Sequence, residues 1–195
     1  MDVILFSDDV DTQECDVLVT GLFQDERPLQ GTGGWIDWRL NGKLSRFLKE
    51  ERLTGSWKET TLIPSEGRVT PRMILLLGLG SMKDYSYLRL RELAPYMIET
   101  LRNIRASRVS LSLPHGENTH VDCGKLTEVL IEGIVDHLDK DPEAPDDEWD
   151  KNLCLFFPVD ARRFPEILLG VQTAKSILEE RHKIRIFIPT EEPRP

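Results

Sequence analysis

The sequence predicts a three-layer α/β/α sandwich around a mixed, mostly parallel sheet, and three observations predict it. Apolar runs of strand length alternate with stripes of helical period along most of the chain. The runs are uninterrupted, as strands covered on both faces require. A turn-rich hairpin between two of them supplies an antiparallel pair beside the otherwise βα rhythm. At 195 residues the chain is of a size for one domain. Residues 1–190 are assigned to it, with 191–195 as a frayed tail.

The elements follow in order. Asp16-Val17-Leu18-Val19-Thr20 is a β-branched run that ends at Gly21. After Gly31-Thr32-Gly33-Gly34, the residues Ile36, Leu40, Leu44, Phe47 and Leu48 recur at three and four and predict one apolar helical face. Ser56 to Pro64 and Arg72 to Leu77 read as two strands joined by the turn Pro64-Ser65-Glu66-Gly67. Leu90, Leu93, Met97, Ile98, Leu101 and Ile104 form the next stripe, which Pro95 should kink or divide because it has no amide to donate. Val109 to Leu113 is a strand, and Leu126, Val129, Leu130, Ile134 and Leu138 form a helix with Asp122 as its N-cap. Residues 139–152 are proline-punctuated and acidic, the signature of a solvated surface loop. Leu153 to Val159 is a strand, Asp160 caps a helix with Phe164, Ile167, Leu168, Val171 and Leu178 on its core face, and Ile184 to Ile188 is the last strand.

Composition narrows the function. With 25 Lys and Arg against 34 Asp and Glu, the formal charge is -9. Such a field repels phosphate backbones and anionic membranes, and no Lys/Arg stripe offsets it along the sequence, so nucleic acid and membrane are not expected partners. No apolar stretch approaches the ~18 residues of a membrane-spanning helix. The three cysteines, Cys15, Cys123 and Cys154, form no CxxC pair and read as reduced thiols of a cytoplasmic protein.

The most informative stretch is Leu29-Gln30-Gly31-Thr32-Gly33-Gly34-Trp35-Ile36-Asp37, a glycine turn after a buried strand and before a helix. Glycines let backbone amides approach a ligand, and a helix N-terminus favours negative charge, so the stretch is a candidate anion site. It matches neither GxGxxG nor the lysine-containing P-loop, and a plain connection has the same composition.

The run Asp16-Val17-Leu18-Val19 followed by Pro28 to Gly34 resembles the opening strand and first ligand loop of macro domains. A closer resemblance is to the amino-terminal domain of the leucyl (cytosol) aminopeptidase family, a macro-type fold with an extra hairpin. Here Arg72 to Gly80, followed by Lys83, resembles that domain's strand and Gly-Leu-Gly-Lys turn. The likeness covers roughly residues 2 to 190 through short motifs. That family holds two metal ions in a separate carboxy-terminal domain, and no Asn-Thr-Asp-Ala-Glu-Gly-Arg segment of that domain occurs among these residues. The resemblance therefore implies a non-catalytic module, with no cofactor and no metal.

For macro domains the resemblance implies an ADP-ribose cleft at the strand C-termini. Asp8 or Asp9 takes the place of the acidic residue that reads adenine, and Gly31, Thr32, Gly33 and Gly34 that of the first phosphate loop. His115 and Gly116 fall where the second phosphate loop lies, and Asp160 where ribose is contacted. The sequence departs from the pattern at Thr20-Gly21, which replace an Asn-Ala pair, and at Trp35, whose indole could stack on a base or fill the cleft. The resemblance also implies oligomer contacts, so a homo-oligomer or an association with a full-length aminopeptidase is expected. An ADP-ribose-like small molecule is the alternative partner, and ADP-ribosyl hydrolysis a second alternative that the missing Asn disfavours.

Other constellations have simpler readings. His115, His120, Asp122 and Cys123 could ligate a metal, but Asp122 is explained as a cap and His115 as an exposed turn residue. Cys123 could gain thiolate character at a helix start, yet no orienting partner is identifiable. Cys15 and Cys154 read as buried packing residues. His137 and His182 read as C-terminal helix residues, and Trp35 and Trp38 as cover for the sheet.

Overall fold

The computed structural model describes residues 1–7, 10–116, 118–140 and 148–188. Its strands are β1 (Asp2–Phe6), β2 (Val17–Phe23), β3 (Thr60–Pro64), β4 (Met73–Gly80), β5 (Arg108–Ser112), β6 (Cys154–Pro158) and β7 (Arg185–Phe187). They form one sheet in the order β3-β4-β2-β5-β6-β1-β7, parallel throughout except for the antiparallel β3–β4 pair. The predicted α/β sandwich and hairpin are thus present. The Val3 to Phe6 run, too short to stand out in the sequence, is inserted between β6 and the edge strand β7.

Alternation along the strands sorts the core into two layers. Val17, Val19 and Phe23 of β2 join a large cluster with the helices α3 (Tyr87–Asn103), α4 (Cys123–Leu138) and α6 (Phe164–Leu178). Leu18 and Leu22 join a smaller one with α1 (Gly31–Arg39) and α2 (Lys43–Lys49). These two helices replace the single helix expected over Ile36 to Leu48. Asn41 and Gly42 both take positive φ, at 53° and 71°, and break the run. The Asp37 carboxylate restarts it by accepting the amides of Leu44 (2.7 Å) and Ser45 (3.0 Å).

Pro95 does not divide α3, which runs unbroken from Tyr87 to Asn103. Asp122 caps α4 as expected, accepting the Lys125 amide at 2.6 Å. Half of the acidic 139–152 stretch, residues 141–147, lies outside the described residues, but its end forms the short helix α5 (Glu148–Lys151). That end is anchored rather than solvated: the Trp149 ring is buried and its indole N–H donates to the Ala106 carbonyl at 3.0 Å. Among the described residues no helix is long and apolar enough to cross a membrane.

Candidate functional site

The glycine stretch is the first turn of α1 rather than a loop ahead of it. The first helical bond runs from the Gly34 amide to the Gln30 carbonyl at 3.0 Å, and no side chain caps the end. The amides ahead of it therefore face the C-terminal end of the sheet with a partial positive charge. The glycines divide by role. A Cβ on Gly33 would stand 2.8 Å from a Leu22 methyl, and one on Gly34 would run into the Leu29 carbonyl, so both are spent on packing α1 against β2 and its turn. Gly31, at φ +53°, has open space where its side chain would be.

Beneath this turn the sheet presents hydroxyls. Thr20 of β2 and Ser112 of β5 are register partners, and the Ser112 Oγ lies 2.7 Å from the Thr32 Oγ1. Thr20 is buried, as is Ser110 one step back along the same face, whose Oγ has no partner. The Thr32–Ser112 bond ties α1 to the end of β5. The sequence carried a signal for Ser112, the Ser/Leu alternation of Val109 to Leu113, but nothing that paired it with Thr32.

Beyond Ser112 the chain enters Pro114-His115-Gly116, held by the Tyr85 hydroxyl donating to the Pro114 carbonyl at 2.9 Å. Gly116 takes φ +101° with open space around it, while its amide is bonded to the Val121 carbonyl (2.7 Å). His115 is not an exposed turn residue. Its Nδ1 lies 3.0 Å from the Leu113 carbonyl, its Nε2 is enclosed without a partner, and burial pushes its pKa down. The charges of Arg163, Asp160 and Glu166 all act on the ring. Asp160 thus belongs to the same end of the sheet, where it caps the turn into α6 by accepting the Arg163 amide at 2.8 Å.

Thr20, Gly31, Thr32, Gly33, Gly34, His115, Gly116 and Asp160 are therefore gathered at the ends of β2, β5 and β6. Asp8 and Asp9 lie outside the described residues. Trp35 stands apart: rather than covering the sheet, it is exposed and stacked on Trp38, which is 65% exposed. Burial and a 3.0 Å hydrogen bond to the Glu166 carboxylate push the Cys123 thiol up to about 12. Cys15 and Cys154, half-buried rather than buried, are each raised by burial to about 11. His137 sits in the last turn of α4 as expected, whereas His182 follows the end of α6. Among the described residues no group of three His, Cys, Asp or Glu side chains could hold a metal ion.

A groove of about 440 Å³ opens on the opposite side of the sheet, between α3 and α4. Lys58, Arg91, Glu92, Glu99, Asp136 and His137 are among its lining residues. Its charges are largely paired across the helices, Arg91 with Glu132 (2.7 Å) and Asp136 (2.5 Å) and Lys58 with Glu92 (3.9 Å).

Comparison with known proteins agrees with this fold. In structure the chain is similar to a macrodomain from Oceanobacillus iheyensis, with a TM-score of 0.66 at 13% identity over 91% of this chain and 92% of the other. It is similar to a tomato leucine aminopeptidase as well, with a TM-score of 0.65 at 16% identity over 91% of this chain but only 37% of that one. Both likenesses show the fold. In sequence it is 27% identical over 165 residues to a probable cytosol aminopeptidase of Thermosynechococcus vestitus, covering 82% of this chain and 31% of the relative. A probable cytosol aminopeptidase of Alkaliphilus metalliredigens is 26% identical over 118 residues, 60% of this chain and 23% of its own length. The chain thus spans less than a third of the curated relatives it matches here. The model of the cytosol aminopeptidase family N-terminal domain matches residues 19–142, well over half of the chain. With most of β2 and all of the glycine turn, the hairpin, α3, β5 and α4 inside that match, the chain belongs to the cytosol aminopeptidase family by its N-terminal domain.

Proposed function

We propose that this chain is a non-catalytic, macro-like binding or regulatory module that works by associating with protein, either with further copies of itself or with an aminopeptidase of its own family. One observation carries the reading. Thr32 and Gly33 at the cleft are engaged in holding the fold, Thr32 with Ser112 and Gly33 against Leu22, while large apolar side chains are displayed outside it. Trp38 is 65% exposed and Leu169 64%. Scattered exposed apolar residues are ordinary, but a large aromatic surface held in place suits a protein interface. The relatives' names support a cytosolic setting.

The test is size-exclusion chromatography with light scattering on the chain alone and mixed with a purified full-length cytosol aminopeptidase, with peptidase rates measured in parallel. A defined oligomer or a co-eluting complex is expected. A monomer that neither co-elutes nor changes the rate would sink the reading.

A second reading, binding of ADP-ribose or a related phosphorylated nucleoside, is favoured by the uncapped first turn of α1 above the hydroxyls of Thr20 and Ser112. A ligand at ~100 times its Kd would stabilise the fold by about 2.7 kcal/mol. That should raise the melting temperature by several degrees with ADP-ribose and not with AMP or phosphate. Absence of a shift counts against it.

A further inference from the structure

The outer face of α1 and α2 carries an arrangement that neither the fold nor the cleft requires. The Trp35 and Trp38 rings stack with centroids 5.1 Å apart and planes 27° from parallel. The Arg39 guanidinium lies over both, 4.9 Å and 5.5 Å from their centroids. Arg39 is in turn fixed by a 2.6 Å ion pair to Asp11, whose side chain is only 2% exposed. The display is therefore built: a buried carboxylate holds the cation, and the cation organises the two indoles.

Contacts extend this display into a basic surface. The Asp11 carbonyl accepts the Thr70 amide at 2.8 Å, which places Arg68 and Arg72 beside it. Across the same layer Lys43 pairs with Glu66 at 2.5 Å. Arg46, Lys49, Arg68 and Arg72 are exposed and form no ion pair among the described residues. Residues 31–72 hold eight Lys and Arg against five Asp and Glu, whereas the rest of the chain holds 17 against 29. Of those eight, Lys58 lines the groove on the opposite side of the sheet, while Arg39, Lys43, Arg46, Lys49, Arg68 and Arg72 belong to α1, α2 and the β3–β4 turn, a grouping that the sequence, read for a Lys/Arg stripe, does not reveal.

We propose that the α1–α2 face is the docking surface for an acidic protein segment that carries an aromatic or other large apolar side chain, a proposal that rests on the reading of the chain as a protein-association module. Trp and Arg are the side chains that most often dominate binding at interfaces, and here their rotamer entropy is already spent in the unbound state. The surrounding Lys and Arg steer an acidic partner and select against a basic one. A short protein segment fits better than a nucleic acid. Glu50, Glu51 and Glu66 lie within the patch and would face phosphates at fixed spacing, and beyond it a long polyanion meets the acidic remainder of the chain.

The probe is a synthetic peptide alternating Glu and Phe, titrated while the intrinsic tryptophan fluorescence is followed. A peptide alternating Glu and Ser and an oligothymidylate of equal length serve as comparisons. The Glu/Phe peptide should bind, more weakly as salt rises from ~50 to ~300 mM. Trp38→Ala and the pair Arg46→Glu with Arg68→Glu should each weaken it by about tenfold or more, while Lys175→Glu, exposed on α6 across the sheet, leaves it unchanged. Melting curves on each variant separate lost binding from lost folding, since Trp38, Arg46 and Arg68 are exposed. No binding of the Glu/Phe peptide, equal binding by the Trp38→Ala protein, or tighter binding of the oligothymidylate would each overturn the proposal. If the chain still forms its oligomer or aminopeptidase complex when both variants are made, the surface is wrong and the association reading stands. If wild type shows neither, both fall.

Discussion

The two faces of the sheet are built to different standards. On one, α3, α4 and α6 meet so closely that backbone touches backbone. A Cβ on Gly124 would stand 2.5 Å from the Glu166 carbonyl, one on Gly170 would overlap the Gly124 carbonyl, and one on Gly133 would come within 2.8 Å of the Arg91 carbonyl. On the other, α1 and α2 form a thinner layer over β2, β3 and β4, with Leu18, Leu22, Ile36, Leu44 and Ile74 at its core. Its outer side shows indoles and guanidiniums to water. Close backbone contact leaves no room for side chains on the thick face, whereas the thin face keeps large side chains at its surface.

Substitutions can break this contrast in order of expected size. Gly170→Val drives a side chain into the α4 backbone, and urea unfolding should show a loss of about 3 kcal/mol or more. A loss below ~1 kcal/mol would mean that α4 and α6 are not in backbone contact. Leu130→Ala in the thick layer should cost about 4 kcal/mol and Ile36→Ala in the thin one about 2, because the thin layer can settle into the space left. Equal costs would remove the distinction between the faces.

Smaller effects sharpen it further. Thr32→Val loses the hydroxyl bond to Ser112 and should cost about 1 kcal/mol, read as a lower urea midpoint at unchanged slope. His115 reports on the cleft through pH. Its folded pKa lies below the ordinary 6.5 through burial, so the unfolded chain takes up the proton first. The stability tied to its neutral ring is present above about pH 6.5 and is lost as pH falls below it. An NMR titration of the ring with its midpoint at or above 6.5 would contradict the enclosed Nε2. Trp38→Ala should change stability by less than ~0.5 kcal/mol, which separates a displayed residue from a packed one.

Much of the fold is legible because periodicity is a local property. The stripe from Leu90 to Leu101 and the run from Val17 to Val19 follow from which residues avoid water. The departures arise where local rules compete. Pro95 has a broken helix as its usual consequence, yet it sits in an α3 held on the sheet by Leu93, Ala94, Met97 and Ile98, all fully buried. Ile36 to Leu48 keeps helical spacing across a break that only the left-handed Asn41 and Gly42 reveal. The site was legible as a set of segments, since Gly31, Thr32, His115 and Asp160 each stand at an element end. Its connections were not: Thr32 and Ser112 are 80 positions apart, and Cys123 and Glu166 are 43 apart.

The sequence by itself determined the alternation of strands and helices, the hairpin, the cap at Asp122 and the glycine turn, because each rests on residues within a few positions of one another. Only the tertiary structure decided that Gly33 packs on Leu22 and Gly34 on the Leu29 carbonyl, that burial and Glu166 raise the Cys123 thiol, and that Arg39 is held by the buried Asp11 over two stacked indoles. Those outcomes depend on burial and on partners distant in sequence, and burial is settled only when the layers close.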